Sequence, residues 1–320
     1  MVSKQMKYYF IINKWAGARH SAETWQKMHH LLVQNQVEFD SVVTEYPRHA
    51  TELAQQFAST HRKGWVIVAF GGDGTLMEVL EGIQRADATI PLGYIPAGSG
   101  NDFARAVGLS RDPYLALQQL IQTTQPTVLD VGAYQDRKEP VVHYFSNNVG
   151  IGFDASVVYQ ANQGQKIKLS KWHLESTAYV SALLKTIFKQ KGFPLSVTID
   201  GQTQQFKYAF LVSITNIKYF GGGVGIAPRA QLDDGKLDVV ITEKLTLFRF
   251  IRLFAKLLKD GSHLTMPDVF FATGREVQVH SFAPEHGQVN GEDLPYQPFD
   301  LKIWTVKQSF WFTLQTKWIN

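Results

Sequence analysis

Cysteine is absent from the 320 residues. A disulfide framework, a thiolate nucleophile and any cysteine-ligated zinc or iron–sulfur centre are thereby excluded, and the absence suits a reducing compartment. Long apolar runs are missing as well: nothing reaches the roughly 18 consecutive apolar residues of a spanning helix. Met1–Lys7 is polar and the apolar run Tyr8–Ile12 is shorter than a signal-peptide core. The expectation is a soluble cytoplasmic chain, able to touch the inner face of a membrane peripherally. Charge of one sign is also scarce, with 32 Lys+Arg against 28 Asp+Glu and a net +4. That excess is too small for a nucleic-acid footprint but suits an anionic ligand or surface. The ten histidines form no His-x-x-x-His pair, which removes the commonest helical zinc site.

What is present is apolar bulk. Hydrophobic residues make up 44% of the chain, with 21 Phe, 12 Tyr and 7 Trp, enough to bury cores in two domains of about 150 residues each. The first third alternates strands and helices: strands at Tyr8–Asn13, Phe39–Thr44, Trp65–Phe70 and Leu92–Pro96, helices at Ala22–Asn35, Ala50–Thr60, Leu76–Arg85 and Asp102–Val107. This order implies a doubly wound parallel sheet. After about Leu129 strands dominate, at Val141–Asn148, Leu195–Ile199, Phe206–Thr215, Leu237–Thr242, Glu276–Ser281 and Phe299–Val306. Helices interrupt them at Leu169–Phe188 and Leu247–Lys259. A β-sandwich is expected there. The predicted division is an α/β domain over 1–132, completed by the aromatic stretch 304–320, and a β-sandwich over 133–303.

Two glycine-rich turns carry the chemistry. Trp65–Phe70 (WVIVAF) enters Gly71-Gly72-Asp73-Gly74-Thr75 and a helix leaves it. Glycines let backbone N–H groups approach an anion, and a helix N-terminus adds partial positive charge. No Gly-Lys-Ser/Thr follows, so this is not a Walker A loop, nor is it G-x-G-x-x-G. Asp73 beside phosphates calls for a cation between them; the plainer reading is a cap for its own helix. The next strand repeats the device in Pro96-Ala97-Gly98-Ser99-Gly100, with Asn101 and Asp102 reading as caps of the following helix. Paired loops at the carboxyl ends of successive strands fall where open α/β sheets bind ligands.

GGDGT at Gly71–Thr75 followed by PAGSGNDFARA at Pro96–Ala106 resembles the diacylglycerol kinase catalytic domain, which is shared with sphingosine and ceramide kinases and with small bacterial lipid kinases. The resemblance continues through LDVG at Leu129–Gly132, FSNNVGIGFDA at Phe145–Ala155, GGGVGIAPRAQLDDGKLDVV at Gly221–Val240 and NGE at Asn290–Glu292. It implies an α/β nucleotide domain joined to a β-sandwich, with transfer of the γ-phosphate of ATP to a lipid hydroxyl in the cleft. Diacylglycerol, giving phosphatidic acid, is the leading acceptor. An NAD kinase-like enzyme and a weakly catalytic nucleotide- or lipid-binding regulator are the alternatives.

By the same resemblance, ATP would be held by Asn13 and Gly17 of NKWAG, by Thr44, and by Gly71, Gly72, Asp73, Gly74, Thr75, Leu76 and Met77. Ser99, Asn101 and Asp102 of the second loop would join them. Asp73, Asp102 and Asp130 would organise Mg²⁺ and water, and Glu292 would be the general base on the lipid hydroxyl. Gln231, Asp234 and Lys236 resemble a structural Mg²⁺ site, although from the residues alone an ordinary Asp-Gly hairpin turn is the favoured reading. An anionic membrane surface is the implied peripheral partner, nucleic acid is not, and a homodimer is admitted.

Three residues depart from the family pattern: Lys14 in place of proline, Met77 in place of asparagine and Asn290 in place of aspartate beside Glu292. In Leu247–Lys259, Arg249, Arg252, Lys256 and Lys259 form a basic stripe beside apolar positions. A membrane-reading helix and a helix covering its own domain both fit that pattern, as they do for Lys166–Lys191.

Overall fold

The computed structural model describes residues 6–17, 20–60, 63–162, 190–219 and 223–313. The expected helix Leu169–Phe188, most of Lys166–Lys191 and part of the glycine run Gly221–Gly223 lie outside them. The chain divides into two compact units, Met1–Leu129 with Lys307–Asn320, and Asp130–Val306.

The first unit runs β1 (Lys7–Ile12), α1 (His20–Gln34), β2 (Phe39–Val43), α2 (His49–Thr60), β3 (Trp65–Gly71), α3 (Asp73–Arg85), β4 (Leu92–Pro96), α4 (Asp102–Val107) and α5 (Pro113–Gln122). Its strands pair in parallel in the order β2-β1-β3-β4. The run Val66–Phe70 is fully buried, which explains its lack of polar alternation: helices cover both faces. Burying each such Val, Ile or Phe side chain contributes about 1.5–3 kcal/mol. From β1 the chain winds first to β2 and then, on the other side, to β3. The order therefore reverses between β1 and β3, and the crevice outside their carboxyl ends is the expected ligand position.

Past β4 the unit gains one more parallel neighbour, because Phe310 pairs with Leu92 and the Trp311 N–H reaches the Leu92 carbonyl at 2.9 Å. Trp311 Nε1 donates to the Leu120 carbonyl at 3.1 Å, and Phe310, tilted, and Phe312, edge-on, pack against Phe103. The aromatic end of the sequence is thus core, as far as Phe312.

The second unit is antiparallel and β-sandwich-like. It contains β5 (Thr127–Asp136, entering from the first unit), β6 (His143–Phe145), β7 (Asn148–Gly152), α6 (Phe153–Asn162), β8 (Phe193–Ile199), β9 (Gln202–Thr215), β10 (Leu237–Glu243) and α7 (Leu247–Lys259). A 3₁₀ turn (Ser262–Thr265) precedes β11 (Val269–Gly274), β12 (Glu276–Ser281), β13 (Glu285–Val289), β14 (Glu292–Gln297) and β15 (Asp300–Phe310). Pairing follows β14-β13-β7-β9-β8-β12-β15, and β10 joins β9 to β11. The expected single strand Val141–Asn148 is two strands. It breaks at Ser146–Asn147, where the Asn147 N–H is taken by the side chain of Asn290 and its carbonyl by Thr215 Oγ1.

Candidate active site

In the first unit three loops meet at the carboxyl ends of β1, β3 and β4. Asn13, just past β1, folds its Oδ1 back to the Trp15 N–H at 3.0 Å and extends its Nδ2 to Thr75 Oγ1 at 3.1 Å. Gly17 has φ +58° and lies against the Ala97 carbonyl so closely that a Cβ would strike it. The two glycine loops are zipped together: the Ala97 N–H donates to the Gly71 carbonyl at 2.7 Å, and a Cβ on Gly98 would sit 2.5 Å from Gly72 Cα. These glycines are therefore needed for backbone-to-backbone packing as well as for any anion.

Helix α3 begins at Asp73, three residues earlier than the apolar pattern indicates, with Gly72 as an extended N-cap. The Asp73 carboxylate does not cap its own helix. It accepts the N–H groups of Asp102 at 3.1 Å and Phe103 at 3.4 Å, so it caps α4 from a neighbouring loop. The expectation that Asn101 caps α4 is corrected accordingly: Asn101 adopts φ +53° and its side chain makes no capping bond. It bonds instead to the Gly98 carbonyl and N–H and to the Tyr94 hydroxyl. Burial, and then the charge of Asp102, push the Asp73 carboxyl up to about 6. Two carboxylates held together in a half-dry place fit a divalent cation, which would relieve both the desolvation and the repulsion.

The other nucleotide candidates fall into two groups. Gly74 and Ser99 are exposed, and Thr44 is buried with its N–H on the Ile12 carbonyl. Leu76 and Met77 point into the core, and the Leu76 N–H is committed to the Gly72 carbonyl. Met77 in place of a polar residue thus meets apolar packing.

In the second unit Asp130 is tied to the turn that carries Gln231, Asp234 and Lys236. Its N–H donates to the Leu232 carbonyl at 2.7 Å, and its Oδ2 accepts the Gly235 N–H at 2.8 Å. Asp234 Oδ1 accepts the Lys236 N–H at 3.0 Å, closing a turn with Gly235 at φ +72°. Asp238 follows; burial, then the charge of Asp234, push its carboxyl up to about 7. The donor set, carboxylate and backbone oxygens only, suits a hard cation. No cluster of three or more His, Cys, Asp or Glu suited to a metal occurs among the described residues.

Glu292 is exposed and opens β14, directly after the tight turn Asn290–Gly291, whose φ values are +53° and +84°. Both positive angles are those of a type I′ hairpin, which asparagine tolerates well. Asn290 Oδ1 accepts the Asn147 N–H at 2.9 Å and the Asn290 N–H donates to the Asn148 carbonyl at 3.0 Å. The amide at this position therefore has a structural occupation of its own. Beneath the turn, Gln288 Oε1 accepts the Gly291 N–H at 2.8 Å and Gln288 Nε2 donates to Asp154 at 3.1 Å. Asp154 and Gln288 escaped the motif reading. Only the position of Asp154 inside FSNNVGIGFDA signalled the former.

Residues 7–134 match the family model described as diacylglycerol kinase catalytic domain. Residues 147–306 match that described as YegS C-terminal NAD kinase beta sandwich-like domain. Diacylglycerol kinase of Mycobacterium tuberculosis (strain H37Rv) is 30% identical over 219 residues, covering 68% of this chain and 67% of that one. The chain belongs to the diacylglycerol kinase family. A second family member, diacylglycerol kinase of Bacillus subtilis (strain 168), is 29% identical over 269 residues, or 82% of this chain and 84% of that one. The fold is shared with a crystal structure of a diacylglycerol kinase from Bacillus anthracis, at a TM-score of 0.67, 21% identity and coverage of 96% and 97%. The diacylglycerol kinase motifs quoted above thus lie on the loops just described, Gly71–Thr75, Pro96–Asn101 and Asn290–Glu292.

Proposed function

We propose that this lipid-kinase family member transfers the γ-phosphate of ATP to the hydroxyl of a lipid, with diacylglycerol the acceptor and Mg²⁺ required. The observation that carries the reading is the zipped pair of glycine loops after β3 and β4, next to the β1–β3 crevice where the strand order reverses, with Asp73 and Asp102 beside it. The N–H groups at the start of α3 and the Asn13–Thr75 contact provide a site for the phosphates. Bound Mg²⁺ would neutralise phosphate charge, held by Asp73 and Asp102. Phosphoryl transfer asks the protein mainly to position and to stabilise charge. Glu292 supplies the remaining need, a carboxylate that receives the proton of the attacking hydroxyl.

The lipid acceptor sits in a bilayer, and α7 suits an anionic one. Its Phe250, Leu253 and Leu257 are buried, whereas Phe248 is 79% and Ile251 54% exposed, beside exposed Leu258, Arg252 and Lys259. The basic stripe is narrower than the sequence indicates. Arg249 pairs with Asp268 at 2.9 Å and Lys256 is half-buried against Ser262. Among the described residues no helix is long and apolar enough to cross a membrane.

The test offers labelled ATP and Mg²⁺ with diacylglycerol in mixed micelles, sphingosine or NAD in parallel. NAD is included because the second family model is named for an NAD kinase-like sandwich. Label is expected in phosphatidic acid; label in NAD overturns the reading, and ATP binding without any transfer favours a regulator.

A further inference from the structure

We propose that Asp154 and Gln288 are positioning residues that act on Glu292 through the Asn290–Gly291 turn. The two side chains lie in the second unit, Asp154 in the first turn of α6 and Gln288 on β13, and both are buried. Gln288 is a carboxamide with distinguishable ends, and its neighbours decide which end points where. The backbone N–H of Gly291 can only donate, so it takes Oε1, and Nε2 is left to donate to the Asp154 carboxyl oxygen, which accepts it. A second amide, that of Asn148, also bonds Asp154. With the Gln288 amide so oriented, the Gly291 N–H is fixed one residue ahead of Glu292.

An independent observation supports a pair built for this contact. Gly150 on β7 is the cross-strand partner of Gln288. A Cβ there would strike Asp154 Oδ2 and lie 2.5 Å from Gln288 Nε2. A glycine in a strand interior weakens it, and marks a site where another group approaches closely. Burying a carboxylate also costs stability, as the rise of the Asp154 carboxyl to about 7, driven first by burial, indicates. A core designed for stability alone would hold an apolar residue here.

The proposal rests on the reading of Glu292 as the base, and the experiment separates the two. Phosphoryl transfer to diacylglycerol is measured for Gln288→Met and Gly150→Ala, each alone and combined with Glu292→Gln, together with amide hydrogen exchange at Gly291. Gln288→Met keeps the volume and removes the amide. Gly150→Ala perturbs the pair from the other side and serves if the first variant folds poorly. Each single variant is expected to lower kcat by about 10- to 100-fold, the scale of a misplacement of about 1 Å, with KM for ATP unchanged. Neither lowers kcat further in the Glu292→Gln background, and Gly291 exchange accelerates. Retained kcat in both single variants, or an equal loss with and without Glu292, overturns the proposal. Full transfer by Glu292→Gln alone overturns the base reading and the catalytic part of this proposal. Unchanged Gly291 exchange in Gln288→Met overturns the anchoring itself.

Discussion

The carboxylate of Asp73, at the first residue of α3, receives the backbone N–H of Asp102, at the first residue of α4, 3.1 Å away. One side chain thus joins the two glycine loops and satisfies a helix terminus that lacks its own cap. The two functions of Asp73 are separable by substitution. Asp73→Ala removes the acceptor and is expected to cost about 1 kcal/mol in urea unfolding. Asp73→Asn keeps an acceptor oxygen and costs less, yet both lose phosphoryl transfer. Parental activity in Asp73→Asn would remove this carboxylate from the nucleotide and metal role.

The contact between Gly72 and Gly98 leaves no room for a methyl group. Gly98→Ala forces the loops apart, at a cost of about 1–3 kcal/mol typical of overpacking. Weaker ATP binding by calorimetry is expected along with a lowered melting temperature. Unaltered affinity would detach the loop pair from the nucleotide.

Glu292→Gln keeps shape and loses the proton acceptor. A fall in kcat of about 10²-fold or more is expected, with ATP affinity intact. Equal loss of affinity would make the residue a structural one.

Asp154 gives a pH dependence of defined sign. Its folded carboxyl titrates near 7 against an ordinary value of 3.8, and the side chains bonded to it, Gln288 and Asn148, are neutral. Between those values the folded protein keeps a proton that the unfolded chain has released. Stability from this group is complete below about 4 and is lost as pH rises through about 7. Asp154→Asn escapes that loss, so its melting temperature relative to the parent climbs across this window and flattens above it. A pH-independent difference would show that Asp154 is ionised throughout.

Phe248→Ser with Ile251→Ser, and separately Arg252→Ser, should each reduce co-sedimentation with vesicles containing anionic phospholipid, leaving transfer to a short-chain soluble diacylglycerol unchanged. Undiminished sedimentation in both would exclude α7 as the contact.

Local chemistry explains what could be read in advance. The parallel sheet was legible in WVIVAF and its neighbours because a strand buried on both faces loses alternation, and the glycine loops because turns are encoded within a few residues. The cap of α4 was misread because its acceptor, Asp73, comes from 29 residues away, whereas the adjacent Asn101 is occupied elsewhere. Helix α6 was missed, and with it the Asp154–Gln288 bond, which spans 134 residues. No periodicity marks such a pair. The stripe on α7 was visible, but a helical wheel does not reveal that Arg249 is engaged by Asp268.

The return of the chain to the first unit at Lys307 also orders the events of synthesis. Residues 1–129 emerge from the ribosome long before the segment that lies beside Leu92 and seats Trp311 on Leu120. The nascent α/β unit must therefore wait, with Leu92 and Phe103 exposed, until 177 intervening residues have been made. Cleavage of the chain shortly before Ser309 would leave that flank open permanently, and the damage would appear as aggregation of the α/β unit although every residue of its loops is present.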